Sequence, residues 1–416
     1  MSRRIAVVGS GIAGLASAWL LSRRHEVVLF EADARLGGHT HTHQVELDGR
    51  GYAIDSGFIV FNPAHYPLLC KLFEELGVDS QPTSMSFAVH DERSALEYNA
   101  TNLDRLFCQR RNLLSPRFIG MLRDILRFYR EAPALLGVTG PGPTLGRYLE
   151  SNRYGASFRD QHIVPMASAL WSSPSAQVLD FPAAYLVRFM ANHHMLQVED
   201  RPTWRVVRGG SSKYIQAMRA HWPVAERTGC AVRRIERGEA GVRVTSSAGE
   251  EIFDEVVLAC HSDQALGLLG DPSPAEREIL GAFDWQDNHT VLHTDIRVLP
   301  RRRKAWAAWN AYIPARPSDA CTVSYCMNLL QGIEAPLTFC VSLNAGQRID
   351  PAKVLARMRY QHPVYTHASV AAQGRKNEIQ GHRHTWYAGA WWGWGFHEDG
   401  MRSAVAVARE LGVTWP

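Results

Sequence analysis

Arg4-Ile5-Ala6-Val7-Val8-Gly9-Ser10-Gly11-Ile12-Ala13-Gly14 leads into Leu15-Ala16-Ser17-Ala18-Trp19-Leu20-Leu21 and then into Glu26-Val27-Val28-Leu29-Phe30-Glu31. The order is buried strand, glycine turn, apolar helix, buried strand, acid, which opens a parallel α/β sheet. Gly9 permits the tight turn, Gly11 lets a pyrophosphate approach the backbone, and Gly14 lets the helix pack close on the sheet. Ile12 and Ala13 begin the helix whose N-terminus faces the anion. Glu31 ends the second strand, where a carboxylate accepts hydrogen bonds from ribose hydroxyls. The same carboxylate repels a 2′-phosphate, which argues against NADP.

Three glycines at this spacing also arise by chance, so the flanking residues carry the weight. Ala32-Asp33-Ala34-Arg35-Leu36-Gly37-Gly38-His39 follows at once, and Asp55-Ser56-Gly57-Phe58 comes next. In two-dinucleotide-binding flavoproteins, a segment of this kind wraps the pyrophosphate and isoalloxazine of FAD. A plain NAD-binding turn with an unrelated double-glycine loop is the alternative, but it leaves Arg35 and Gly37-Gly38 without a role.

A chain of 416 residues exceeds one typical core, so two interleaved domains are expected. No apolar run reaches the roughly 18 residues of a membrane-spanning helix. Arg3-Arg4 before an apolar stretch superficially resembles a signal peptide; the glycine turn explains it better, and cytoplasmic residence is expected. A net charge of +4 is too mild to imply nucleic acid. Seven scattered cysteines read as buried free thiols. His39, His41 and His43 alternate, so one strand face would carry all three. Contacts beside the flavin or plain strand positions are favoured over zinc, and no metal is expected. Arg110-Arg111 and Arg301-Arg302-Arg303-Lys304, the latter close to Trp306 and Trp309, read as solvated loops or as peripheral contacts with an anionic membrane.

Apolar spacing predicts a helix over residues 66–76, helical segments over 103–149 broken by the turn-rich stretch 137–143, and several short helices over 158–197 that cap the cofactor. After Val206-Val207-Arg208-Gly209-Gly210 a helix is expected over 213–221, then strands over 231–235, 242–245 and 252–253, the last two joined at Gly249. Glu255 to Cys260 is a buried run of the kind that closes a parallel sheet. Further strands are expected over 289–294, 322–327, 337–343 and 385–390, with a terminal helix over 400–411. The fold class is α/β, a Rossmann-like cofactor domain (1–75, 200–265, 380–416) interleaved with an α+β substrate domain (76–199, 266–379).

With these motifs in order, and Gly393-Trp394-Gly395-Phe396-His397-Glu398-Asp399-Gly400-Met401 near the end, the chain resembles the FAD-dependent amine oxidase and phytoene desaturase superfamily. Through Gly57-Phe58-Ile59-Val60-Phe61-Asn62, Leu179-Asp180-Phe181-Pro182 and Gly395 to Gly400, it is similar to a bacterial branch associated with cyclopropane and furan fatty-acid modification. The resemblance implies an FAD-dependent oxidoreductase, an acyl-chain desaturase more than an amine oxidase, passing hydride to flavin N5. It implies an apolar small-molecule or lipid substrate, no nucleic acid, and a lipid methyltransferase as a partner. A non-catalytic, flavin-bound role beside that methyltransferase is a rival reading.

The resemblance assigns Gly9, Gly11, Ile12, Ala13, Gly14, Glu31 and Ala32 to the AMP half, and Arg35, Gly37, Gly38, His39, Gly57 and Phe58 to the pyrophosphate and ring edge. Val232 falls to the adenine side, and Gly395, Phe396, Gly400 and Met401 to the pyrimidine edge, where a helix N-terminus supplies about half a positive charge. Three departures stand out. Ala390 follows Gly389 where relatives place an acid, with Glu398 or Asp399 as the stand-in. No lysine lies between Lys213 and Lys304, although amine oxidases place one near N5, and no cysteine lies near 389–400, so the FAD is expected to be noncovalent. Trp171, Phe189, His193, His194, Tyr325, Asn328, Trp391 and Trp394 are pocket candidates, each with core packing as its alternative. No catalytic base is named.

Overall fold

Five short strands, the inner three rich in Val, Leu and Phe, lie parallel in the order Val224–Arg227, Glu26–Phe30, Arg4–Val8, Glu255–Leu258, Thr385–Tyr387. The computed structural model describes residues 2–138, 140–239, 241–316 and 321–415. Alternate strand residues face opposite sides. Ile5, Val7, Val27, Leu29 and Val257 pack beneath the helices Ile12–Leu21, Ser212–His221 and His397–Glu410. Ala6, Val8, Val28, Phe30, Val256 and Leu258 instead meet the antiparallel meander of Val232–Gly238, Gly241–Ser246 and Gly249–Phe253. With both faces covered, the strands read as near-continuous apolar runs, and each fully buried side chain contributes roughly 1.5–3 kcal/mol.

A second, seven-stranded sheet runs Val354–Val364, Asp284–His293, Cys340–Leu343, Val323–Cys326, Trp309–Ile313, Phe87–Asp91, Leu96–Asn99. Its pairings are antiparallel except that Trp309–Ile313 lies parallel to Phe87–Asp91. Beside it stand the helices Pro116–Glu131, Val164–Trp171 and Ala183–Asn192, around a core that includes Phe118, Phe128, Phe158 and Phe189. Ser115 sets the start of the first of these, its Oγ accepting the Phe118 N–H at 3.3 Å ahead of Pro116, the residue type preferred at a first helical position.

Several expected elements shift. The terminal helix begins at His397 rather than 400, because the Asp399 carboxylate accepts the Phe396 N–H at 3.1 Å and caps the turn earlier. Glu255–Leu258 lies inside its sheet, and Thr385–Tyr387 forms the edge. The longest strand among the described residues, Val354–Val364, escaped the sequence reading: its apolar positions alternate with Arg357 and Arg359, and Pro363 disguises its end. Of the turn-rich stretch, Thr139 lies outside the described residues. The seven cysteines are free, four of them buried.

Candidate active site

A cavity of about 1440 Å³ opens at the carboxyl ends of the parallel strands, against Gly9, Glu31 and Ala259, and continues beneath the helical cap as far as Leu126 and Val198. This is the crevice at the topological switch point, between Arg4–Val8 and Glu255–Leu258. Its volume exceeds the roughly 300–1,000 Å³ of an ordinary ligand pocket, leaving room for an extended cofactor and a substrate.

At its first end the backbone is bare by construction. A Cβ on Gly14 would stand 1.8 Å from the Gly9 carbonyl oxygen, so helix and turn touch directly. Gly9 has φ +98°, and a Cβ on Gly11 would meet nothing within 4 Å, which leaves the Gly11 backbone open to the cavity. Gly38, with φ +55°, is packed on Gly11, and the Arg35 guanidinium braces its loop by donating to the Gly38 carbonyl at 2.7 Å and the Thr40 carbonyl at 3.2 Å. The Glu31 carboxylate accepts the N–H groups of Ser10 and Asp33, each at 2.9 Å, which fixes it on the cavity wall. Asp55 ties this region to the 208–211 loop. Its carboxylate accepts the Ser211 N–H at 2.9 Å and the Gln331 Nε2–H at 3.0 Å; burial, against the bonds from Thr42 and Ser211, pushes it up to about 6.

Farther in, four elements bring histidines together. His39 stacks on Tyr360 with centroids 5.0 Å apart and lies 5.1 Å from His362; His261 stacks on Trp285 at 3.7 Å, and His397 on Phe58 at 3.5 Å. Burial holds His39 down at about 4 and His261 and His362 at about 3, so all are neutral at pH 7. The buried His39 Nε2 and His261 Nδ1 have no partner among the described residues, and both side chains line the cavity. The first two amides of the terminal helix, on His397 and Glu398, likewise take none there. Bare glycine backbone at one end and unspent polar atoms beyond it fit FAD: Gly9, Gly11 and Gly38 would hold its pyrophosphate, Glu31 would accept from a ribose, and His39 and His261 would offer polar partners to the ring.

The rest of the wall is mainly apolar and aromatic, with Arg201, Thr83, Ser86, Thr101 and Ser172 among it. Leu122, Ile125, Met166, Leu170, Phe189 and Trp204 face it, and so do His193, Tyr325, Trp171, Trp391 and Trp394. His193 is held near 4 by burial, and its Nδ1–H donates to the Phe189 carbonyl at 3.0 Å. Trp171 Nε1–H donates to the Trp394 carbonyl at 3.1 Å, and Trp391 Nε1–H to the Cys260 carbonyl at 3.2 Å, so these rings are fixed wall.

Of the expected cofactor residues, Gly9, Gly11, Ile12, Ala13, Glu31, Ala32, Arg35, Gly37, Gly38, His39, Gly57, Phe58, Val232, Gly395 and Phe396 line the cavity. Gly14, Gly400 and Met401 do not. Gly14 packs on the glycine turn, Gly400 lies where a Cβ would be 2.6 Å from Ile12, and Met401 is in the core. Asn328 is also off the wall: it donates to the Leu337 carbonyl at 3.0 Å and accepts the Phe339 N–H at 2.7 Å, clamping a loop. His194 faces outward, with Nδ1–H donating to the Asp200 carbonyl at 3.2 Å.

Neither expected acidic stand-in reaches the cavity. Glu398 accepts the amides of Leu68 and Leu69, each at 3.1 Å; Asp399, pushed up to about 6 by burial, accepts those of Trp394 and Phe396. His39 sits in the loop ahead of the strand Thr42–Leu47, whereas His41 and His43 lie 3.9 Å apart and bond Tyr360 and Ser56. Sequence reasoning missed Tyr360, Gln361 and His362, whose signal is the alternation along 354–364, and His261, which follows the apolar run ending at Cys260.

Residues 12–285 match the family of flavin containing amine oxidoreductases. A Mycobacterium tuberculosis protein assigned as a flavin-containing monoamine oxidase, AofH, is 30% identical over 296 residues, covering 68% of this chain and 62% of the relative. The chain thus spans about three fifths of that relative's length. An Exiguobacterium sp. 255-15 structure assigned as a protoporphyrinogen oxidase superposes with a TM-score of 0.72 at 18% identity, covering 99% of each chain. The CLA-producing fatty acid isomerase from P. acnes superposes with a TM-score of 0.63 at 16% identity, covering 99% of each. At such identities the two structures establish the fold alone. The match over residues 12–285, together with the bare glycine cradle at the switch point, establishes that this chain belongs to the flavin containing amine oxidoreductase family, with FAD as its cofactor.

Proposed function

We propose that the chain is an FAD-dependent dehydrogenase that desaturates a long apolar substrate, a fatty acyl chain or its methylated or cyclopropane-bearing derivative. Bound FAD supplies a two-electron acceptor for hydride. The observation that carries the reading is the wall of the inner cavity: among the described residues its carboxylates are Glu31 and Asp33, both at the ribose end. An alkylammonium moved into the capped region would lose hydration with no counter-charge, whereas each methylene gains about 0.8 kcal/mol. His162 and His193, held near 4 by burial, add no charge there at pH 7.

The protein's task on this reading is to position and to exclude water. Phe189, Trp394 and Leu170 confine the chain, and Trp171 locks Trp394 in place. No lysine lies between Lys213 and Lys304, and Asn288, fully buried, is committed to His362 Nδ1 at 3.1 Å, which favours desaturation over the lysine-assisted amine oxidation. The likeness to a fatty acid isomerase is in keeping with an acyl substrate, while AofH favours an amine.

Anaerobic addition of detergent-dispersed methylated or cyclopropane-bearing acyl lipid to the FAD-loaded protein tests this. Bleaching of the flavin with formation of a new double bond is expected. Bleaching by small amines but not by acyl lipid, with peroxide release in air, would transfer the chain to the amine oxidases. Stable association with a lipid methyltransferase and no reduction by either class would make it a non-catalytic flavin partner.

A further inference from the structure

The far end of the cavity reaches the surface through residues that are both wall and exterior. Leu103, Val198 and Leu126 line it and are 73%, 68% and 57% exposed. Beside Leu103, the helical turn Arg110–Leu114 presents Leu114, 89% exposed, and Leu113, 52% exposed. A soluble surface rarely gathers so many bare leucines at one opening.

The charge around the leucines is predominantly positive. Residues 101–123 hold five arginines, all exposed, and one acid, Asp104. The run Arg301 to Lys304 joins the same face: Lys304 Nζ lies 3.0 Å from Asp104 Oδ2, and Arg105 donates to the Trp306 carbonyl at 3.5 Å. Arg110 pairs with the same Asp104, so that acid is spent among these cations. Val198 is followed by Glu199, Asp200 and Arg201, the last also on the wall, so the excess of cations lies with the leucines of 103–114.

We propose that this rim docks on an anionic phospholipid leaflet, with the leucines inserted among the acyl chains and the arginines on the headgroups. The cavity mouth then opens into the hydrocarbon, and a membrane-resident acyl chain reaches the site without crossing water. The occupant follows from charge and continuity. Each cation held near an anionic surface strengthens partition roughly fivefold, and the leucines that meet the lipid are continuous with the wall beneath the cap. This inference rests on the acyl-substrate reading for its purpose, but docking itself is measured without turnover.

The experiment is flotation of the FAD-loaded protein with vesicles of phosphatidylglycerol or of phosphatidylcholine. Binding to phosphatidylglycerol is expected to be at least tenfold tighter and to weaken with salt. Leu113→Asp with Leu114→Asp, and separately Arg111→Glu with Arg303→Glu, should each lower it at least tenfold. Both are exposed, cavity-free sites, so bound flavin, melting temperature and turnover of detergent-dispersed substrate should stay as in the wild type. Equal binding to both lipids, no binding to either, or variants that bind like wild type would overturn the proposal. So would a dimer in light scattering that the leucine variant abolishes, because the face would then belong to a second copy. Docking without flavin reduction by any acyl lipid would leave the surface standing and remove the acyl-substrate reading; reduction of dispersed lipid without docking would do the reverse.

Discussion

Gly11→Ala and Gly14→Ala separate what the cofactor requires of the backbone from what the fold requires. Gly11 has φ −63° and ψ 177°, which alanine adopts freely, and its Cβ would meet no atom within 4 Å. The flavin-free Gly11→Ala protein should therefore be stabilised by roughly 0.4–1 kcal/mol, because the unfolded chain loses freedom while the folded chain gains no clash. The methyl has nowhere to point but the cavity, where the backbone must be approached by pyrophosphate. FAD affinity should fall at least tenfold, about 1.4 kcal/mol.

Gly14→Ala places its Cβ 1.8 Å from the Gly9 oxygen and 2.9 Å from the Gly9 carbonyl carbon, both backbone atoms that cannot rotate away. Its cost should match or exceed the roughly 1–3 kcal/mol typical of overpacking, with or without flavin. Urea unfolding of stripped protein and FAD titration of each variant read the two effects apart. Wild-type FAD affinity in Gly11→Ala, or a stripped Gly11→Ala protein weaker than wild type by 1 kcal/mol or more, would refute this account of the cradle.

Glu276 is set between Arg237 Nη2 at 3.0 Å and the Tyr387 hydroxyl at 2.6 Å; burial alone would raise it, but these bonds hold it down at about 2. The pair should contribute roughly 3 kcal/mol that is complete above the ordinary glutamate range and fades as pH falls from about 4.5 to 2. Glu276→Gln should cost roughly 3–5 kcal/mol at pH 7 and flatten that slope. Asp55 and Asp399, lifted to about 6, act in the opposite sense up to that pH, so the check is the difference between variant and wild type across a pH series of unfolding curves. Asn328→Ala should lose roughly 1–2 kcal/mol of stability with KM unchanged, and a changed KM would return Asn328 to the substrate site. Acid precipitation should release all of the flavin, because no cysteine lies within residues 389–400 and the two cysteines on the wall, Cys230 and Cys260, stand at the Glu31 end; a yellow pellet would contradict this.

Local physics made the cofactor half readable. Gly9, Gly11, Gly14 and Glu31 do their work within one strand-turn-helix-strand unit, where spacing alone fixes which backbone is bare. The Val354–Val364 strand was hidden because its solvent-side arginines dilute the apolar pattern, and pairing with Asp284–His293 is what makes it a strand. Glu398 and Asp399 looked available for the cofactor since a sequence names acids without showing which amides they already serve.

The amino-acid order by itself determined the parallel sheet, the glycine cradle, the acid that follows the second strand and the helical nature of the cap, each a matter of neighbours along the chain. Only the tertiary structure decided that His39, His261 and His362 meet, that Asn328 is a clamp, and that a basic, leucine-fringed opening ends the cavity. Those are encounters between residues far apart in sequence, and they come into being only when sheet and helix packing closes the loops between them.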